Sequence, residues 1–381
     1  MEGSKNTTES GGKTNGEKRL LDTFLEYIQI DSETKNEKAM AEKMVSELKG
    51  LGLEVKTDKA GEGFGSNGFN VYAYLPGTIP SEPTIMCAHM DTVVPGNGVK
   101  PTIEDGVIRT DGTTVLGGDD KSGIAAIIEA VRVIKEQNLP CRNTEILFTI
   151  GEEGGMHGAK NMDYSMIQGK EAMVFDASGN IGKVLTCGPG QIKIFATVIG
   201  RSSHAGLAPE EGISAIQVAA KGIAKMNLLR IDEETTCNIG TLKAEYATNI
   251  VPEKATFVAE VRSRNLDKLN AQAEHIKSCL QEACDEMGAK LEIELATNYV
   301  SFNVANDDPL VQRVFDSCAR LGYEPETAKG GGGSDANVMA LHGIKPIVLS
   351  TGMTKVHTTS ETLKVEDLNK CAELVLDLMT H

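Results

Sequence analysis

Positive charge is in short supply in this chain. Its 38 lysines and arginines face 54 aspartates and glutamates, for a net charge of −16. That balance argues against a nucleic acid or an anionic membrane surface as the main partner, since both call for a basic surface. No apolar run is long enough to span a bilayer, so no membrane partner is expected. The opening stretch, MEGSKNTTESGGKTNGEK, is polar and lacks the apolar segment of a secretory signal. Residues 1–16 are expected to form a disordered tail. No CxxC pair occurs: the eight cysteines, Cys87, Cys141, Cys187, Cys237, Cys279, Cys284, Cys318 and Cys371, are scattered. Several fall in apolar or helical runs, where a free thiol behaves as a small core residue. They read as reduced thiols, which points to a reducing compartment and a cytoplasmic protein. No solenoid-type repeat is visible.

What remains is a globular chain of 381 residues, 40% hydrophobic and 24% charged, long enough for two ordinary domains. Apolar residues recur at helical spacing over 17–30 and 36–52. LEVKTD, FNVYAYLPG and PTIMCAHMDT read as strands split by Gly, Pro and Asn. A helix is expected over about 121–136, then strands at 144–150 and 171–178. Strands alternating with helices in this way predict an α/β domain with a mostly parallel sheet. The pattern changes near Gly188. Strand 191–200, helix 212–226, strands in TCNIGTLKAE and KATFVAEVRS, helix 266–287 and strand KLEIELAT give a β-α-β-β-α-β order within 188–302, which fits a ferredoxin-like unit. A helix near 307–322 and a strand at 345–351 resume the first pattern. The expected organisation is a sheet domain over 17–187 and 303–381, interrupted by a smaller domain over 188–302.

The polar residues that stand out lie at the ends of predicted strands. His89 and Asp91 close TIMCAHMD and fall on one face of an extended chain. Asp119 and Asp120 sit in GGDDKSG at the mouth of the next helix, Glu152 and Glu153 end ILFTIGEEGG, Asp176 ends AMVFDAS, and His357 follows IVLST. Open α/β sheets place their ligand crevice at the carboxyl ends of the strands, so most of these side chains would converge. Singly, each has a plainer reading: an aspartate before a helix can cap it, a lone histidine can be structural, and GEE can be a solvated strand end. Jointly, crowded carboxylates would repel one another unless cations lay between them. Mixed His/Asp/Glu donors suit zinc, and also cobalt or manganese. A carboxylate has two oxygens with which to bridge a pair of such ions.

These residues carry a resemblance to a known family. HMDTV (89–93), GGDDKSG (117–123), GEEGG (151–155), FDAS (175–178), RSSHAG (201–206), NIVP (249–252), GGGGSDAN (330–337) and VHTTSE (356–361) resemble, in order, the motifs of the M20 dinuclear-zinc metallopeptidases, within them the peptidase T-like tripeptidases. The resemblance spans nearly all of residues 17–381. It implies a phosphorylase/hydrolase-like zinc exopeptidase catalytic domain with an inserted ferredoxin-like α+β lid that also dimerises. His89, Asp119 and Asp176 would hold one divalent ion. Asp119, Glu153 and His357 would hold the other, with Asp119 bridging and a cis peptide between Asp119 and Asp120. Asp91 would orient His89, and Glu152 would be the general base. His204 would reach across a homodimer to stabilise the oxyanion, with Asn249 and Arg262 binding substrate. An arginine fork suits a carboxylate. The glycines of GGGGSDAN would let substrate approach the backbone at Gly332, Gly333 and Ser334.

The implied activity is removal of the N-terminal residue from short peptides, tripeptides foremost, by a metal-activated water. A related dipeptidase, carboxypeptidase or N-acyl-amino-acid amidohydrolase shares the ligand set and stays open. A non-catalytic peptide- or metal-binding protein is the other alternative, and an intact Glu152 argues against it, because a general base is needed for proton transfer and not for ligation.

Overall fold

The computed structural model describes residues 10–381, a mixed α/β chain that divides into two compact units. Unit 1 takes in the chain up to Thr186, Val304–Lys329 and Ser334–His381; unit 2 takes in Cys187–Asn303 and Gly330–Gly333. Among the described residues no helix is long and apolar enough to cross a membrane.

Unit 1 is built on a twisted sheet. Four strands at its centre run parallel, in the order Arg142–Thr149, Ile79–His89, Glu171–Ala177 and Lys345–Ser350. Val71–Leu75 and then Glu54–Thr57 add antiparallel on one side, and Lys183–Gly188 on the other. Residues 84–89 are buried without alternation, as expected of a strand covered on both faces. The helix Gly118–Gln137 returns from that strand and packs against the helices Val365–Thr380 and Ser10–Ile28. Short strands Pro101–Glu104, Val107–Thr110 and Leu363–Lys364 form a separate three-stranded sheet.

The expected tail over 1–16 fares differently in its two parts. Residues 1–9 lie outside the described residues. From Ser10 on, the chain is helical, so the first helix is Ser10–Ile28 and starts earlier than the polar composition predicts. Once the amphipathic run from Glu17 has formed a helix, each added turn costs far less than a new nucleus.

Unit 2 is an antiparallel sheet in the order Leu229–Arg230, Thr235–Lys243, Lys254–Ser263, Gly190–Ile199, Lys290–Tyr299. Gly190–Ile199 alternates buried and more exposed positions, so one face meets the helices and the other does not. Ile194, Phe257, Val261 and Leu280 lie in the core between that face and the helix Leu266–Met287. Asn265 accepts the Lys268 amide at 3.1 Å to start this helix, and Gly288 at φ 73° ends it. The side chain of Ser214 does the same for the helix Ala215–Ala224 through the Gln217 amide.

Candidate metal centre

All four parallel strands deliver a candidate residue at or just beyond their carboxyl ends. His89 is the last residue of its strand, Asp176 the last but one of the next, Glu152 and Glu153 follow Thr149, and His357 follows Ser350. Asp119 enters from the start of the crossover helix. The backbone there is not yet helical: Gly117 is left-handed at φ 74°, Asp119 and Asp120 lie outside helical angles, and the peptide between them is cis. His357 is also left-handed, at φ 62°, a conformation uncommon for a residue with a side chain.

The donor atoms fall into two sets that share one carboxylate. His89 Nε2 lies 3.0 Å from Asp119 Oδ1 and 3.7 Å from Asp176 Oδ1. His357 Nε2 lies 3.3 Å from Asp119 Oδ2 and 2.8 Å from Glu153 Oε1. Asp119 therefore turns one oxygen to each histidine. Within each set, His89–Asp119–Asp176 and Asp119–Glu153–His357, every ligand atom is within 4.8 Å of the others, and His89, Glu152 and Glu153 make an overlapping third grouping. The nitrogen and carboxylate donors suit a small divalent cation. So does the electrostatics. Burial, and after it Asp176, holds Glu152 well above the usual carboxylate range, and burial pushes Asp176 up to about 7. Burial alone would raise the Asp119 carboxyl, yet hydrogen bonds from His357 and His89 hold it well below its ordinary value. Asp119 in turn, with Glu153, lifts His357 to about 10.

Asp91 is the hub behind this cluster. Its backbone oxygen is 2.9 Å from His89 Nδ1, and its carboxylate oxygen Oδ1 is 3.5 Å from the same nitrogen. Oδ1 also accepts the Glu152 amide at 2.9 Å, while Oδ2 accepts the Glu153 amide at 3.2 Å and the Thr34 hydroxyl at 2.7 Å. One buried carboxylate thus aligns a histidine and the two glutamates. Asp120 points elsewhere: its Oδ2 accepts the backbone amide of His89 at 3.2 Å. The adjacent aspartates differ in task, and neither caps the helix with its side chain.

Glu361 takes that capping role, and no pattern along the chain marks it for one. Its Oε2 accepts the amides of Leu116 and Gly117 at 2.8 and 3.0 Å, and its Oε1 accepts that of Asp119 at 3.0 Å. Thr34 and Lys121 were missed as well. Lys121, brought down to about 7 by burial, donates to the Ile30 carbonyl at 2.8 Å and so ties in the segment that carries Thr34. The only signal in the sequence was that Lys121 and Glu361 stand inside motifs quoted for other residues.

The remaining candidates stand in unit 2, apart from Ser334. His204 is exposed; its Nδ1 accepts the amides of Gly206 and Leu207 at 3.1 and 3.2 Å, which leaves the proton on Nε2. Asn249 is its neighbour, with its carbonyl accepting the Ala205 amide at 2.9 Å. Arg262 is half-buried, and its fork is engaged by Glu260 at 2.9 and 3.2 Å. At Gly333 a Cβ would stand 2.4 Å from the Tyr299 ring, so within unit 2 the close approach that requires glycine is to that ring; Gly332 is open. The Ser334 amide donates to Asn337 Oδ1 at 3.0 Å, at the start of the helix Asp335–Leu341.

Known proteins resemble this chain along most of its length. Residues 85–381 match the model of Peptidase family M20/M25/M40. The protein named "Uncharacterized protein YqjE" of Bacillus subtilis (strain 168) is 43% identical over 363 residues, 95% of this chain and 98% of its own. The crystal structure of aminopeptidase PepT from Bacillus cereus ATCC 10987 superposes with a TM-score of 0.90 at 42% identity, covering 96% of this chain and 98% of that one. A tripeptidase from Staphylococcus aureus subsp. aureus Mu50 gives a TM-score of 0.91 at 38% identity, with the same coverages.

Proposed function

The chain belongs to peptidase family M20/M25/M40, and from that premise we propose that it is a dinuclear metallo-aminopeptidase that removes the N-terminal residue from short peptides, tripeptides foremost. The observation that carries this reading is Asp119, with Oδ1 toward His89 and Oδ2 toward His357. His89, Asp119 and Asp176 would hold one divalent ion and Asp119, Glu153 and His357 the other, zinc foremost, with cobalt or manganese as substitutes. Ions held there would supply Lewis acidity, making a water easier to deprotonate and the scissile carbonyl easier to attack.

The chain's own residues do the rest. Glu152, buried and left out of both sets, takes the proton of the attacking water and later delivers it to the leaving amine. Asp91 holds Glu152 and His89 in register through its carboxylate and backbone oxygens. His204, with its proton on Nε2, is the donor for charge that grows on the carbonyl oxygen. Its role is in trans, from the partner of a homodimer formed through unit 2. The strand order of unit 2, with both helices on one face, supports reading it as the ferredoxin-like lid. Asn249, Arg262, Gly332, Gly333 and Ser334 are assigned to peptide binding. All eight cysteines are buried, and among the described residues none forms a disulfide, which supports a reducing, cytoplasmic setting.

The test is a matched peptide set offered to zinc- or cobalt-loaded protein: a free tripeptide, a free dipeptide, an N-acetylated tripeptide and a C-amidated tripeptide. Cleavage of the free tripeptide that acetylation abolishes is the expected result. Cleavage of the acetylated peptide but not of the amidated one would replace this reading with a carboxypeptidase or amidohydrolase. No cleavage with two ions bound would favour a binding protein.

A further inference from the structure

Glu361 links two of the three loops that carry the ligands of one metal set. The loop bearing His357 is closed at its base, where Thr354 and Thr362 exchange backbone hydrogen bonds at 3.0 and 3.1 Å. Inside that closure stand His357 and, four residues later, Glu361, which is only 2% exposed. Glu361 reaches across to the loop of Asp119 and accepts three of its amides, that of Asp119 included, at 2.8 to 3.0 Å. The fit is close: a Cβ on Gly118 would stand 2.9 Å from Glu361 Oε1. A carboxylate is suited to this place because both oxygens accept and the start of a helix favours negative charge.

We propose that Glu361 is a positioning residue: a strut between the Asp119 and His357 loops that sets the span of the Asp119–Glu153–His357 ligand set. The inference rests on the two-ion reading above. Both ends of the strut carry ligands of that set, whereas only one end carries a ligand of the His89–Asp119–Asp176 set. Loosening it therefore weakens one metal-binding step more than the other. General loss of stability would lower both alike.

The experiment measures the two stepwise zinc dissociation constants of the full chain by chelator competition. It compares wild type with Glu361→Gln, and uses His357→Ala to mark which step belongs to its set. In Glu361→Gln an NH2 replaces one acceptor and faces backbone donors. The marked step should weaken by about 10- to 100-fold, the usual scale for partners that orient a ligand. The other step should move by less than about threefold. Turnover should fall at limiting zinc and recover at excess zinc. Glu361→Asp keeps both oxygens but is one methylene shorter, so it should show the same selectivity with a smaller loss, and it serves if the glutamine variant folds poorly. Equal weakening of both steps, or unchanged constants in both variants beside a two-ion wild type, would overturn the strut alone. A wild type that binds a single ion would overturn the two-ion reading and the strut with it.

Discussion

Replacing Asp91 with alanine tests how the cluster is held together. Asp91 is wholly buried, and its carboxylate accepts two backbone amides, Glu152 and Glu153, and one hydroxyl, Thr34, besides lying against His89. Truncation leaves the Glu152 amide buried without a partner, at about 1–3 kcal/mol, and removes two more hydrogen bonds worth about 1 kcal/mol each. The metal-free protein should therefore lose about 3–5 kcal/mol of stability. Freed from its orienting partner, His89 should bind metal about 10- to 100-fold more weakly. Denaturant unfolding of the metal-free variant, a chelator-competition titration and peptide hydrolysis read the three effects separately. Saturating metal should restore turnover only in part, because the Glu152 backbone has lost its anchor as well. A variant within about 0.5 kcal/mol of wild type and with unchanged metal affinity would refute the argument, since that is the scale of an ordinary surface substitution.

Glu152→Gln should keep both ions and lose turnover by about 10²- to 10⁴-fold, the usual worth of a general base; loss of an ion would instead make Glu152 a ligand, as the His89–Glu152–Glu153 grouping allows. His204→Ala should lower turnover by about 10²- to 10³-fold with both ions retained. Mixing it with a Glu152 variant should restore activity in hybrid dimers, and a fully active monomer would remove the trans role. Metal loading should release protons at pH 7. His357 is raised to about 10 by Asp119 and Glu153, and His89 is held well above its ordinary value by Asp119, Asp176 and Asp91 although burial pulls it down. Both imidazoles are thus protonated before metal enters, and affinity should rise with pH through that range. Calorimetry in buffers of different ionisation enthalpy checks this, and a buffer-independent heat would contradict it.

The convergence of the candidate ligands was legible because these residues stand where strands end, and strand ends could be read from apolar runs such as TIMCAH and EILFTI. Choosing between Asp119 and Asp120 was beyond spacing alone. It depends on a non-helical entry to the helix, which turns one carboxylate to the histidines and the other to the His89 amide. Glu361 was out of reach for a related reason: its partners lie 242 to 245 positions away, and no local pattern signals such a cap. The short strands Pro101–Glu104 and Leu363–Lys364 are only four and two residues long, too brief for periodicity to mark. At Gly333 the glycine run was read as room for a ligand, where within its own unit the crowding comes from the Tyr299 ring.

The most direct measurement is anomalous scattering at the zinc edge from crystals of zinc-loaded protein. Two peaks are expected, one on each side of the Asp119 carboxylate, the first against His89 and Asp176 and the second against Glu153 and His357, with Glu152 bound to neither. A single peak, or a peak coordinated by Glu152, would contradict that expectation.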